Sequence, residues 1–236
     1  MQIVKKSFKS AGLCLAAALI AGSAHAAVIF TPGGPAPAPA TVENVRFDPT
    51  RPGVVTGPGT TVTGITARTN YLIDFSADEL LIAFENPAAL PTPVPPTVRA
   101  TDGALRSLGI DVRDGAFTTV FYNLFVSAVG GNPTGRFADI LVSSFDGTTT
   151  SYRQQLRNGF NLLTITADNE TLLRDVSIFA NSDFADIRQI RFGGLQAAPI
   201  PEPDIFMSFS LAGFALWRVC ARRRSAPRGG RHFAQT

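Results

Sequence analysis

The central part of the chain, from Ala27 to Ile200, contains no cysteine, histidine, methionine, tryptophan or lysine, and we refer to it as the body. Without cysteine, the body can form no disulfide and offers no thiol nucleophile. Without histidine as well, it cannot assemble a Ser-His-Asp or Cys-His catalytic site, a zinc site with His or Cys ligands, or the usual ligand sets of haem and iron–sulfur clusters. Carboxylate chemistry, calcium bound by oxygen atoms, or a role without catalysis remain. We therefore expect no cofactor and no enzymatic activity.

The positive charge of the chain, +3 over 236 residues, is confined to its two ends. All three lysines lie in the first ten residues, and six of the 18 arginines follow position 217. The body holds 12 arginines against 16 acidic residues, which leaves it a net charge of −4. The overall pI of about 9.2 therefore does not point to a nucleic-acid partner, and we expect none.

Residues 1–26 have the pattern of a secretory signal peptide. Three lysines precede the uncharged apolar stretch 11–22, and Ala24 and Ala26 then supply small residues at the −3 and −1 positions of a cleavage site. A buried N-terminal helix is the alternative interpretation. The pattern predicts passage through the secretion translocon, followed by signal-peptidase cleavage after Ala26.

The C-terminal part contains three features in a fixed order. Pro201-Glu202-Pro203 comes first, and its prolines hold an extended segment that a protease can grip. The apolar stretch 205–221 follows; as a helix of 17 residues it extends about 25 Å, marginally enough to cross the inner membrane. A buried amphipathic helix is the alternative. The positive-inside rule places the basic residues in the cytoplasm and the body outside it. These membrane-orienting residues are Arg218, Arg222, Arg223 and Arg224, and residues 225–236 form a basic tail.

This three-part order resembles the PEP-CTERM sorting signal of exported proteins from Gram-negative bacteria. The resemblance covers residues 199–224 and rests on 200–203, on the apolar residues 211–216 and on the arginines 222–224. It implies that an exosortase, an integral-membrane cysteine protease, recognises the Pro-Glu-Pro motif and removes or transfers the tail. We expect Glu202 to be the charge that the protease recognises. The resemblance further implies an inner-membrane anchor before processing, and then a place at the cell surface or outside the cell.

The body has the pattern of an all-β domain. From residue 41 to 197, short runs rich in Val, Ile, Phe, Thr and Leu recur about every ten residues, separated by Asp-Gly and Asn-Gly pairs that suit tight hairpins. This pattern predicts an antiparallel, jelly-roll-like β-sandwich. Residues 27–40, rich in Pro, Gly and Ala, are predicted to form a linker or a first edge strand. The predicted strands are 42–47, 60–66, 71–75, 80–84, 105–112, 119–127, 140–144, 151–156, 160–167, 176–180 and 187–192.

Alternation of apolar and polar residues within these strands predicts which residues form the core. Four segments of the body also resemble a second group of proteins. Residues 44–47, 62–70, 160–170 and 184–194 are similar to the uncharacterised exported bodies that often precede PEP-CTERM tails, which are presumed to be β-sandwiches. The arginines at positions 188 and 191 are expected to face solvent with a pairing role. The predicted core residues are Phe121, Phe125, Phe160, Ile165, Val176, Ile178, Ile190 and Phe192.

Carboxylates are the only candidates for a chemical site in the body. A glycosidase would need two of them facing each other, about 5 Å or 6.5–9.5 Å apart, and no spacing in the sequence shows such a pair. Asp168 and Glu170 are a weak candidate for Ca²⁺, with a polar hairpin turn as the alternative. The other acidic candidates are Asp74, Asp78, Glu79, Glu85, Asp111, Asp114, Asp183 and Asp186.

Two functions remain after these exclusions. The first is an exported cell-surface or matrix protein, structural or adhesive, whose partner by family association is the exopolysaccharide of an envelope or biofilm. The second is a secreted carbohydrate-binding or carbohydrate-active β-sandwich.

Overall fold

The computed structural model describes residues 27–35, 37, 38, 40–85, 95–127, 135–168 and 171–200. Every regular element within these ranges is a β-strand, which confirms the prediction of an all-β body. None of the described segments forms a helix with the length and apolarity needed to cross a membrane. The predicted signal peptide, the Pro-Glu-Pro motif, the helix 205–221 and the basic tail lie outside the described residues.

Fourteen strands form the described part of the body, and all the pairings between them are antiparallel. Neighbouring positions alternate between the interior and the outer face, as expected for strands with one buried side. The strands are β1 (Val28–Pro32), β2 (Glu43–Arg46), β3 (Gly59–Thr66), β4 (Leu72–Phe84), β5 (Thr97–Ala100), β6 (Leu105–Val112), β7 (Gly115–Ala116), β8 (Thr119–Val126), β9 (Phe137–Ser144), β10 (Thr149–Gln155), β11 (Gly159–Ala167), β12 (Leu173–Phe184), β13 (Asp186–Gly193) and β14 (Gln196–Ala197).

The main sheet curls so that part of it closes on itself. Its strand order is β1-β11-β8-β13-β2-β3-β4-β6-β12-β9-β10, and β5 joins β13 to β4 as a second bridge. Strands β13, β2, β3, β4 and β5 therefore form a closed ring of paired strands. The two sheet edges, β1 and β10, approach each other, and the rings of Phe30 and Tyr152 stack there at 5.0 Å. The sheet is thus partly barrel-like, around one core.

The predicted strands 71–75 and 80–84 form a single strand, β4, and not two. Its first half pairs with β3 and β6, whereas Leu81–Phe84 pairs with β5. Residues 76–79 separate the two predicted strands in the sequence. In the structure they continue the strand where β4 changes partners: Ser76 and Asp78 are exposed, whereas Ala77 packs against the core and one Glu79 carboxylate oxygen is buried.

Six of the eight predicted core residues are buried, and Phe125 and Phe160 are the two exceptions. Residues 121, 165, 176, 178, 190 and 192 are at most 1% exposed. Phe160, predicted to be buried, is 63% exposed, and Phe125 opposite it is half-buried. Both rings lie on the outer face of their strands, where the guanidinium carbon of Arg188 sits 4.1 Å from the Phe125 ring centre. Arg188 has the predicted pairing role, since it forms an ion pair with Asp186, but its side chain is only 19% exposed and does not face solvent as predicted. Arg191 is half-buried and contacts the Pro37 carbonyl and the Phe121 ring.

Replacement of Tyr122 by Phe should stabilise the body. The Tyr122 side chain is fully buried, and within the described structure its hydroxyl has no hydrogen-bond partner. Burial raises the pKa of this phenol, and an unpaired buried hydroxyl costs about 1–3 kcal/mol. We expect Tyr122→Phe to raise the free energy of unfolding in urea by about 1 kcal/mol, while Tyr152→Phe at the sheet edge changes it little. A clear loss of stability in Tyr122→Phe would show that the hydroxyl is satisfied, for example by water.

Candidate functional site

Three aspartates lie side by side on the outer face of the sheet, and we call them the carboxylate row. Asp74 on β4 is opposite Asp111 on β6, and Asp111 is opposite Asp175 on β12. Directly opposed residues in antiparallel strands have Cβ atoms about 4.5–5.5 Å apart. Hydroxyl groups end the row on both sides: Thr63 Oγ1 donates to Asp74 Oδ1 at 2.7 Å, and Ser143 Oγ donates to Asp175 Oδ1 at 2.9 Å.

Arginines form ion pairs with the outer two carboxylates of the row, Asp74 and Asp175. The environment of the middle carboxylate, Asp111, is different. Arg113 contacts both oxygens of Asp74, at 2.6 and 3.0 Å, and Arg174 Nε donates to Asp175 Oδ2 at 2.8 Å. The pKa of Asp111 is raised, first by partial burial of its carboxyl and then by repulsion from Asp175 and Asp74. The side chain still reaches solvent, so Asp111 is an accessible carboxyl that holds its proton more readily than an isolated aspartate.

A groove of about 400 Å³ lies beside the carboxylate row. Gly109 forms part of its lining, and its neighbours on the adjacent strands are Ser76 and Ser177. A Cβ atom at Gly109 would lie 2.8 Å from Ser76 Oγ, so the groove depends on the missing side chain. Phe145 adds an apolar wall. The lining therefore offers carboxylate acceptors, hydroxyl groups, arginine donors and one aromatic ring, a set that suits a polyhydroxylated ligand.

The structure assembles this site from residues that the sequence separates widely. Among the predicted acidic candidates it brings Asp111 and Asp114 to the lining of the groove, and it places Asp74 opposite Asp111 in the carboxylate row. Asp175 was missed, although it occupies an outward position of an alternating strand. Other acidic candidates lie elsewhere: Asp183 pairs with Arg106, Asp186 pairs with Arg188, and Glu85 accepts the Phe47 N–H.

The Ca²⁺ candidate Asp168 has a different set of contacts. Its Oδ1 accepts the Thr171 hydroxyl at 2.7 Å, and its Oδ2 accepts the Ala27 N–H at 3.1 Å. Its predicted companion Glu170 lies outside the described residues. In the part of the chain that the structure describes, no group of three His, Cys, Asp or Glu residues is placed to hold a metal ion.

Comparison of the chain with protein-family models, with curated proteins and with solved structures finds no match. The residues of the predicted sorting motif, Pro201, Glu202 and Pro203, lie outside the described structure, as do the membrane-orienting arginines and the cleavage-site alanines.

Removal of the middle carboxylate should stabilise the body at neutral pH. Because the pKa of Asp111 is raised on folding, the folded state binds its proton more tightly than the unfolded state does, and stability falls as the pH rises through the carboxyl range. Asp111→Asn should therefore increase the free energy of unfolding at pH 7, by less than about 1 kcal/mol because solvent screens the site.

The matched control is Asp139→Asn. The side-chain hydrogen bond from Arg153 holds the pKa of Asp139 below its usual value, so this substitution should not stabilise the protein. Urea unfolding of both variants between pH 3 and pH 8 measures the difference. An Asp111→Asn variant that is less stable than wild type at pH 7 would contradict the described repulsion.

Proposed function

We propose that the protein is exported to the cell surface or extracellular matrix and that its tail is sorted as a PEP-CTERM signal by an exosortase. The observation that carries this proposal is the order of the features along the chain. A signal-peptide pattern ends at Ala26, and the motif Pro201-Glu202-Pro203 begins directly after the body. The described all-β structure fits in the interval between these two signals.

The proposed role of the body is structural or adhesive, with exopolysaccharide as its partner. We take its fold to be a jelly-roll-like β-sandwich. Support comes from the antiparallel pairing throughout, from the closed ring on one side and from the two edges that face each other on the other side. A net charge of −4 on the body suits a domain that stays soluble outside the membrane.

Cell fractionation tests the sorting proposal. In a host that contains the protease, the wild-type body should be found outside the cytoplasm, and its intact mass should lack both the signal peptide and the tail. Replacement of Pro201 and Glu202 by Ala should leave the tail attached, since the motif that the protease recognises is gone. Replacement of Ala198 by Ser, just outside the motif, is the matched control and should be processed normally.

Two results would contradict this proposal. A full-length protein that stays in the cytoplasm would exclude export. Identical processing of the wild-type protein and the variant without Pro201 and Glu202 would exclude a role of the motif in sorting.

A second candidate function, carbohydrate binding, is favoured by the groove beside the carboxylate row. Hydroxyl groups of a sugar would meet Asp111, Ser76, Ser177 and Arg174, and the ring of Phe145 offers a face for stacking. The groove has no lysine and no tryptophan, so its hydrogen bonding would come from carboxylate, hydroxyl and guanidinium groups. This function is compatible with the first, because a matrix protein needs a means to hold polysaccharide.

Glycan-array binding by the exported protein tests the second function. Gly109→Thr should fill the groove while it leaves every carboxylate in place, and we expect saturable binding to weaken by at least about tenfold. Ser151→Thr, on an exposed position of β10 on the same face, is the matched control and should bind as wild type does.

The same experiment distinguishes sugar binding in the groove from Ca²⁺-dependent binding at Asp168. Binding that requires Ca²⁺ and is lost in Asp168→Ala, but not in Gly109→Thr, would place the ligand at the Asp168 turn and exclude the groove. Absence of saturable binding by the wild-type protein would exclude the second function altogether.

A further inference from the structure

Asp168 forms hydrogen bonds with both the backbone N–H and the backbone carbonyl of Ala27. Asp168 directly follows β11, and its backbone N–H donates to the Ala27 carbonyl at 3.1 Å. In the opposite direction, the Ala27 N–H donates to Asp168 Oδ2, also at 3.1 Å. The other carboxylate oxygen accepts the hydroxyl of Thr171 at 2.7 Å, and Thr171 is only 4% exposed. A buried hydroxyl thus orients the carboxylate toward the Ala27 nitrogen.

Strand β1 determines where this nitrogen lies. Val28 is paired with Ala167 on β11, so Ala27 extends the same ladder by one position and meets Asp168. The strand itself is anchored by Phe30, whose ring packs on the core and stacks on Tyr152. The pairing of β1 with β11 therefore places the Ala27 nitrogen beside Asp168.

We propose that the mature amino terminus is the α-ammonium group of Ala27 and that it forms an ion pair with Asp168. This inference rests on the proposed function, because it requires removal of the signal peptide after Ala26. Hydrolysis of the Ala26–Ala27 bond adds the hydroxyl of water to the Ala26 carbonyl and leaves an amine on Ala27. An ordinary α-amino group has a pKa of about 7.7–8.0 and is protonated at neutral pH. Before cleavage a neutral amide N–H donates to the Asp168 carboxylate. After cleavage the donor is an ammonium group, so donor and acceptor are both charged and the hydrogen bond becomes an ion pair.

Asp168 is the charged partner that the surroundings of Ala27 provide. Strands β1 and β11 contain no charged residue. On β10, which faces β1 at the sheet edge, Arg153 is occupied by Asp139 at 2.7 Å. The carboxylate should therefore raise the pKa of the amine. Since that pKa is raised on folding, the ion pair stabilises the body fully below about pH 7.7, and its contribution is lost as the pH rises through the folded-state value.

The sequence makes this one amine directly observable. All three lysines lie in the first ten residues, so a chain that begins at Ala27 has a single primary amine. Reductive methylation with ¹³C-formaldehyde converts each primary amine into a dimethylamine that keeps its charge. The exported protein should then give one ¹³C methyl resonance, whereas a chain that retains its signal peptide also gives lysine resonances.

A pH titration of that resonance measures the ion pair. We expect the amine of the wild-type protein to titrate about half a unit to one unit higher than the amine of Asp168→Asn. Asp146→Asn is the matched control. The Asp146 carboxylate accepts two hydrogen bonds from Thr148 in an exposed turn, whereas the Asp168 carboxylate accepts one from the Thr171 hydroxyl. Loss of the Asp146 carboxylate should leave the amine unshifted from wild type.

The outcomes separate the ion pair from the export proposal. Lysine resonances, or an intact mass that starts at another residue, overturn both cleavage after Ala26 and the ion pair. A single resonance from Ala27 that titrates alike in wild type and Asp168→Asn overturns the ion pair alone. If Asp168→Asn does not accumulate, one glycine inserted between Ala26 and Ala27 moves the ammonium away and keeps Asp168. The amine of that variant should titrate normally, and a raised value there also overturns the ion pair.

Discussion

The fold depends most on one strand, β13, which pairs with three others. Both ends of β13 pair with β8, with a register shift between Arg188 and Arg191, and its other side is shared between β5, at Ile187, and β2, at Phe192. Gln189, with φ of 58°, separates the two halves, and this bulge allows one strand edge to meet two partners. Because β2 leads through β3 to β4 and β5 leads there directly, the ring closes. The inner faces of these strands consequently share a single core, and the outer face is left free for polar groups.

Every basic side chain on that outer face is an arginine. A guanidinium group can lie flat on an aromatic ring and bind a carboxylate at the same time, which an ammonium group does less well. Arg153 shows this most clearly, since it lies 3.9 Å from the Phe137 ring centre and forms an ion pair with Asp139. Arg188 combines Asp186 and Phe125 in the same manner. This explains how Phe125, on the wrong face for the core, is half-covered and how a body without lysine stabilises its surface carboxylates.

The sequence predicted the strand character of the body but not its register, and the site depends on register. Alternation and Asp-Gly turns are local signals, so they found most strands and most of the core. The merging of two predicted strands into β4, the short strand β5 and the outward position of Phe160 follow from which strands become neighbours, and no local pattern contains that information. For the same reason Asp74, Asp111 and Asp175 could not be recognised as one row. No local pattern distinguishes Gly109, whose missing side chain leaves the groove open, from other glycines in strands.

The composition of the body also limits how it can respond to pH. It has neither histidine nor cysteine, so no side chain in it has an ordinary pKa between about 6 and 9. The Asp111 carboxyl is shifted upward, yet it starts from the aspartate range near 4. If the chain is cleaved after Ala26, as we propose, the new amine becomes the one group of the body that titrates near neutrality. A change of stability between pH 7 and pH 9 would then come from titration of the Ala27 amine, which lies next to the edge strand β1 and contacts Asp168.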